Sequence, residues 1–439
     1  MTPRRPVKIA IIGGGSISWG PVFLKDLCTS EAARGGALFL YDLDARSLEG
    51  IARFAKKLFA DRSQEMRIVT TTDYDTALEG ADYVVNTVLV GSQGVWKTEL
   101  DLIRSYGIEH PKGMSVGPGG MMMGLKQIPF VIDLAQRMTR LCPDAWLLNF
   151  ANPMQLNILA IQRFVPRLKS VGLCHGLDHT IEKIAGRLGI PMDQISWTAG
   201  GVNHFEAVIR MEYEGKDLFP RFIEKLEADA KLEYTGESIT LELYKIFGVW
   251  PSNHDIHVIE FLPYYIRKGM RLEDWNQTYN DVALRIADKE TQWKKAEDFI
   301  AGKIPLSDIV KEKISEKLGA IVDATTFNRP FNMYANVTNR GCISNLSPDI
   351  AVGVPVVVDQ GGWQGVCIGE LPQGIAALHN LHGAVQNLVL QGAVEGSRKA
   401  LLEALSLDPM CYTLTVEERK RLIDELLQID RSMLPRFFS

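Results

Sequence analysis

Residues 7–42 hold this chain to one kind of fold. Val7–Ile12 is an apolar run rich in β-branched residues. Gly13-Gly14-Gly15-Ser16 follows it, then a helical pattern from Pro21 to Thr29, then a second apolar run, Ala37–Tyr41, ending in Asp42. Strand, glycine turn, helix and strand in that order predict a βαβ unit with parallel strands. Glycines after the first strand let backbone N–H groups approach a pyrophosphate at the helix N-terminus. An acidic side chain ending the second strand can take a ribose hydroxyl pair. Gly13 and Gly15 fit the first two glycine positions of that fingerprint, while Ser18 stands where the third would be. An ordinary tight turn is the competing reading; the flanking strands and Asp42 favour a dinucleotide. The candidate cofactor contacts here are Gly13, Gly15, Ser16, Ile17 and Asp42. Asp42 also predicts NAD rather than NADP, because a carboxylate repels a 2′-phosphate, with Arg46 one turn on as a softening charge.

Asp44 caps a helix through Phe59, and further units continue the pattern. Arg67–Thr71 and Asp82–Thr87 read as strands, and Asn86-Thr87 ends the second of them, facing where a nicotinamide ribose would lie. Residues 91–120 read as a long irregular segment holding Trp96, His110 and Lys112, before a helix from Met121 to Leu141. Strand Ala145–Asn149 closes in Asn149-Phe-Ala-Asn152-Pro153. Its carboxamides can read sugar hydroxyls or a cofactor amide, or can simply build a turn. Val171–Cys174 is a sixth parallel strand, with the helix Asp178–Leu188 behind it. From Ile195 the alternating texture suggests antiparallel strands. The expected architecture is therefore α/β: a Rossmann-type doubly wound parallel sheet over 1–190 and a second α+β domain over 191–439.

Composition excludes several classes. A net charge of −5 without a long basic run gives no footprint for nucleic acid or an anionic membrane. No apolar stretch is long enough to span a bilayer, and the N-terminus leads straight into a strand rather than a signal-peptide core. Six cysteines scattered over 439 residues argue for free thiols and a cytoplasmic location.

Two places carry chemistry. Cys174 ends the sixth strand, and a thiol meeting an imidazole can hold a metal with open positions, although a lone buried cysteine usually packs. The run Trp250–Tyr265, with His254, Asp255, His257 and Glu260, is the densest cluster of titratable groups in the chain.

The motifs Gly13-Gly-Gly-Ser16, Tyr41-Asp42-Leu-Asp44, Gly117-Pro-Gly-Gly120, Asn149-Phe-Ala-Asn152-Pro-Met154, Cys174-His-Gly176, Gly201-Val-Asn203-His204, His257-Val-Ile-Glu260 and Asn336-Val-Thr-Asn339 stand in order along nearly the whole chain. In them the chain resembles glycoside hydrolase family 4, the NAD- and metal-dependent glycosidases that stand apart from two-carboxylate glycoside hydrolysis. The resemblance implies a lactate- and malate-dehydrogenase-like cofactor domain. It implies hydride removal from C3 of the sugar by NAD, deprotonation at C2, elimination at C1, water addition and hydride return. It implies Cys174 and His204 as ligands of a metal, typically Mn²⁺, and Asn86, Thr87 and Asn149 beside the cofactor. Asp255 is the implied base with His257 in reserve, the alternative being that one of them only anchors the fold, and His175 is the implied acid. Asn152, Asn203 and Glu260 are implied substrate contacts, in a homo-oligomer, dimer or tetramer.

Cys174-His175-Gly176 resembles the α-glucuronidase and α-galacturonidase branch, so the expected substrate is a terminal α-uronide. Gly176 is consistent with room for a substituent or with a turn. Arg340, in the polar loop Asn339–Asn345, is the candidate cation for the C5 carboxylate, or else a solvated loop arginine. The alternatives are a neutral α-galactosidase or α-glucosidase of the same family and a 2-hydroxy-acid dehydrogenase. His175-Gly176-Leu-Asp178 looks like the dehydrogenase motif, but there is no aspartate between Met154 and Cys174 to partner its histidine. A non-catalytic NAD sensor would leave residues 253–260 without a purpose.

Overall fold

The computed structural model describes residues 5–229, 236–267, 269–280, 282–310 and 316–438. Six strands alternate with helices through the first half: β1 Lys8–Ile12, β2 Gly36–Tyr41, β3 Met66–Thr71, β4 Tyr83–Asn86, β5 Trp146–Asn149 and β6 Lys169–Gly172. All their mutual pairings are parallel, in the order β3-β2-β1-β4-β5-β6. This is the doubly wound order, which opens a ligand crevice at the strand carboxyl ends where the winding reverses. Strands β4 and β5 are buried at every residue, as a parallel sheet covered on both faces requires.

The second half forms β7 Ser196–Gly200, β8 Ala207–Tyr213, β9 Lys216–Asp217 and β10 Trp250–Pro251, a small antiparallel sheet. It then returns to the first sheet. β11 Phe331–Thr338, β12 Ala351–Asp359 and β13 Gly362–Gly365 continue it antiparallel beyond β6, making nine strands. The change of texture near residue 190 is thus a change of connectivity, and the sheet itself runs across it. Without β11 the β6 edge would present unpaired N–H and C=O groups.

Two sequence expectations are corrected. Residues 91–120 are not one irregular segment. Ser92 accepts the Val95 N–H and caps a helix Gln93–Ser105, and the next helix begins at Gly117. Trp96, Leu100 and Ile103 are buried on one face of the first helix, a period obscured by the glycines around it. The sixth strand ends at Gly172, so Cys174 lies past it, over the carboxyl end of the sheet. Among the described residues no helix is long and apolar enough to cross a membrane.

One buried carboxyl joins the halves. Asp26, 2% exposed in the helix Gly20–Leu27, accepts the Leu318 N–H at 2.8 Å and so caps the helix Leu318–Phe327. Burial pushes Asp26 up to about 7; the Leu318 N–H opposes this, and Glu316 adds to it. An unfolded aspartate titrates near 3.9, so between pH 4 and 7 the unfolded chain loses a proton that the folded chain keeps. Stability contributed by this site falls through that window and stays low above it. Asp26→Asn keeps an acceptor for Leu318 without the charge. The expectation is no change in unfolding free energy at pH 3.5 and a gain of about 2–4 kcal/mol at pH 8, read by denaturant titration. A gain equal at both pH values would contradict the assignment.

Candidate active site

The glycine turn closes on its own strands. The N–H groups of Gly13 and Gly14 donate to the Tyr41 carbonyl, at 3.0 and 2.7 Å, and that of Gly15 donates to Asp42 Oδ2 at 3.0 Å. Gly13 has φ +93°, and a Cβ there would stand 2.5 Å from Thr87 Oγ1, so only glycine fits. Ser16 Oγ accepts the Trp19 N–H, and Ile17 is buried. Asp42 stays partly exposed at the end of β2, with Oδ1 accepting the Asp44 N–H at 3.2 Å. The three N–H groups are thus committed to Tyr41 and Asp42, which hold the turn tight and bare of side chains, and the partly exposed Asp42 carboxylate at the end of β2 stands where a dinucleotide's ribose fits. Asn86 Nδ2 donates to Asn149 Oδ1 at 2.8 Å, and Asn149 Nδ2 donates to the Ala151 carbonyl at 2.9 Å. Those two carboxamides hold the strand ends and each other. Asn152 differs: its Oδ1 is buried and has no partner among the described residues.

Across the sheet, Cys174 and His175 precede the helix Gly176–Leu188. Burial pushes the Cys174 thiol well up, and the Glu206 carboxylate adds to it, so the thiolate forms only against a cation. His175 is 49% exposed, and its Nδ1 meets Glu316 Oε1 at 2.7 Å. That hydrogen bond raises the imidazole above its ordinary value, against the lowering effect of burial. Gly176 makes room for Asn253: a Cβ there would lie 1.7 Å from Asn253 Oδ1. The space above Gly176 is therefore filled by protein, which corrects its reading as room for a sugar substituent.

β11 links this end of the sheet to the second motif. Asn336 pairs with Gly172, and its Nδ2 donates to Asn203 Oδ1 at 3.3 Å. Asn203 Nδ2 is buried and has no partner among the described residues. Next to it, His204 is buried with φ +69°. Burial lowers its imidazole to about 3, and the charges of His175 and Lys112 add to this, so the ring is neutral. Nδ1 meets Ser115 Oγ at 2.9 Å, which leaves Nε2 for a metal. The His257 ring lies 4.4 Å from it, centroid to centroid, and burial likewise keeps that ring neutral. Among the described residues no group of three or more His, Cys, Asp or Glu converges. Cys174 and His204 would thus give a metal a minority of its ligands and leave the rest to substrate and water. Left-handed backbone recurs at Asn253 (φ +74°) and His254 (φ +64°), strain that clusters at functional sites.

Three expected site residues have other work. Asp255 is fully buried, and its oxygens accept from Ser238 Oγ, Ile239 N, Thr240 N and Thr240 Oγ1 at 2.7–3.0 Å. It caps the helix Ser238–Phe247, with both oxygens committed. Glu260 is buried and its Oε1 accepts from His110 Nδ1, Lys112 N and Gly113 N at 2.8–3.0 Å, tying down the loop before Gly117. Arg340 lies at the wrong end. β11 runs antiparallel to β6, so Arg340 is level with Leu168 and roughly 20 Å along the strands from Cys174. It lines an exposed pocket with Arg167 and Lys169.

The structure adds residues that the sequence hid. Lys112 and Arg285 lie close enough to act on one another, and both charges help keep His257 neutral. Burial lowers each cation. Among the described residues neither Lys112 Nζ nor the terminal guanidinium nitrogens bond a carboxylate; Arg285 Nε donates to Asn280 Oδ1, and its guanidinium stands over the Trp96 ring. Arg285 carried no signal, standing in a charge-rich helix. Ser115, Glu316 and Asn336 reach the site only through tertiary contacts.

The family 4 glycosyl hydrolase model matches residues 8–190, and its C-terminal domain model matches 199–411. An α-galactosidase of Bacillus subtilis (strain 168) is 28% identical over 98% of this chain and 99% of its own length. An α-galacturonidase of Lachnoclostridium phytofermentans is 27% identical over 98% and 97%. Among solved structures, a 6-phospho-α-glucosidase from gut microorganisms, in complex with NAD and Mn²⁺, superposes with a TM-score of 0.85 at 20% identity, covering 98% of this chain and 99% of that one.

The packing of Asn253 over Gly176 gives a test. Gly176→Ser should displace a buried carboxamide and destabilise the fold by about 1–3 kcal/mol with loss of activity. Adding Asn253→Gly, which also suits the left-handed backbone, should recover the stability. Additive losses in the double variant, measured by thermal unfolding, would show that the two positions are independent.

Proposed function

The chain belongs to the family 4 glycosyl hydrolases, and from that premise we propose that it is an exo-acting hydrolase of terminal α-uronides that uses NAD and a divalent metal such as Mn²⁺. The observation that carries the uronide is the pair Lys112 and Arg285, two part-buried cations beside a neutral imidazole pair. Of the two, Lys112 alone feels a carboxylate, Glu260, itself already held by His110 and two backbone N–H groups, so the pair keeps an excess positive charge. Burying uncompensated charge is costly, so such a pair fits an anionic substrate group, and a guanidinium suits a carboxylate. They replace Arg340 in that role. Curated relatives named α-galacturonidase support the same class.

When bound, NAD would accept and return the hydride at C3, and the metal would polarise the C2 and C3 oxygens. The glycine turn and Asp42 would hold the cofactor, and Cys174 and His204 the metal. The remaining work falls to side chains of this chain. His257 takes the C2 proton: its imidazole is neutral, so it has a lone pair to accept with, and it lies against His204. His175 hands a proton to the leaving oxygen, since Glu316 keeps its imidazolium present to higher pH. Asn203 Nδ2 and Asn152 Oδ1, two of the buried polar atoms without a partner among the described residues, suit sugar hydroxyls, a donor and an acceptor.

A panel of p-nitrophenyl α-glucuronide, α-galacturonide, α-galactoside and α-glucoside, with NAD⁺, Mn²⁺ and a thiol, tests the substrate class. One uronide is expected to turn over, and Arg285→Met should cut its kcat/KM about 30- to 100-fold. Turnover of the neutral glycosides alone would overturn the reading.

The acid has its own test. Because the raised imidazole loses its proton only as pH climbs through the raised value, Glu316→Gln should move the basic limb of kcat to lower pH. An unmoved limb would remove His175 from the role.

A further inference from the structure

A groove of about 830 Å³, in the volume range of small-molecule sites, has Asp178 and Lys317 in its lining. One wall is aromatic. The Trp197 and Tyr334 rings stack 4.5 Å apart at 10° between planes, with Phe331 alongside. Tyr334 is locked in place, its hydroxyl accepting the Ala199 N–H at 2.5 Å and donating to the Ala199 carbonyl at 2.9 Å. The polar part of the lining is the Asp178–Lys317 ion pair, closed at 2.6 Å.

Both members of that pair are next to the acid. Asp178 follows His175 by three positions, on the same face of the helix start, and Lys317 follows Glu316, which holds the His175 ring. The strand register agrees. Asn336 pairs with Gly172, so the antiparallel course of β11 brings Tyr334 level with Cys174. A group leaving toward His175 therefore leaves toward this groove.

Resting on the glycosidase reading above, we propose that this groove seats the leaving group, and that it takes a second, uncharged pyranose. A pyranose has an apolar C–H face and a polar rim, which match the Trp197–Tyr334 wall and the Asp178–Lys317 pair. The ion pair is neutral as a unit and Asp193 adds a negative charge, so the lining disfavours an anionic unit here, in contrast to Lys112 and Arg285.

The test compares two leaving groups on one glycone, whichever the four-substrate panel selects: its methyl α-glycoside and its disaccharide with glucose. The quantity read is the ratio of kcat/KM for disaccharide over methyl glycoside. Trp197→Ala should lower that ratio about tenfold through KM, with Trp197→Phe retaining most of it. Phe331→Ala, a smaller change to the same wall, should lower it in the same direction if Trp197→Ala folds poorly. An unchanged ratio in folded variants overturns the proposal. So does an equal fall on both substrates with a change in sedimentation, which would mark the groove as a contact between copies of the chain. A wrong uronide reading shows instead in the panel, and leaves the ratio as informative on a neutral glycone.

Discussion

The site depends on β11 lying antiparallel against β6. The parallel half supplies the cofactor turn and the Cys174–His175 corner, and the second half supplies His204 and His257. What brings these together is one strand that pairs with Gly172 and, through the Asn336 carboxamide, holds Asn203. The same strand decides what stays out of the site. Its polarity carries Tyr334 toward the Cys174–His175 corner and Arg340 away from it, so a residue's place along β11 sets whether it can reach that corner.

Burial then sets the charge state of each group. His204 and His257 stay neutral because they are desolvated and face Lys112. Neutral imidazoles are what the metal ligand and the base proposed for them require. His175 is half exposed and bonded to Glu316, and it goes the other way. Three histidines on neighbouring segments thus divide into two kinds by environment alone, as residues of one type do wherever acid and base must coexist.

Much of the fold was legible because local signals agreed with one another. The β1 glycine turn, the acidic end of β2 and the apolar runs of β4, β5 and β6 each carried their own pattern, and parallel strands covered on both faces must be apolar throughout. The helix Gln93–Ser105 was hidden because glycines flank a short period. At the site, what could be read depended on how a residue acts. Cys174, His175 and His204 stand in local motifs. Lys112, Arg285, Ser115 and Glu316 matter through partners far along the chain, which no spacing announces. Asp255 and Glu260 misled for the converse reason. A carboxylate in a titratable cluster reads as chemistry, yet both are buried against N–H and O–H donors that the sequence does not show.

The pairing of β6 with β11 also has a cost in time. The two strands are more than 150 residues apart, so on a ribosome β6 emerges long before its neighbour exists. At about 5–20 residues per second the delay is roughly 8–30 s, far longer than hydrophobic collapse. Through that interval the parallel half has an open edge, and the Cys174 thiol stands over it without the residues that later surround it. The nascent chain thus passes through a stage in which edge-to-edge association and thiol oxidation are both open to it. Its yield in a cell should depend on what shields that edge.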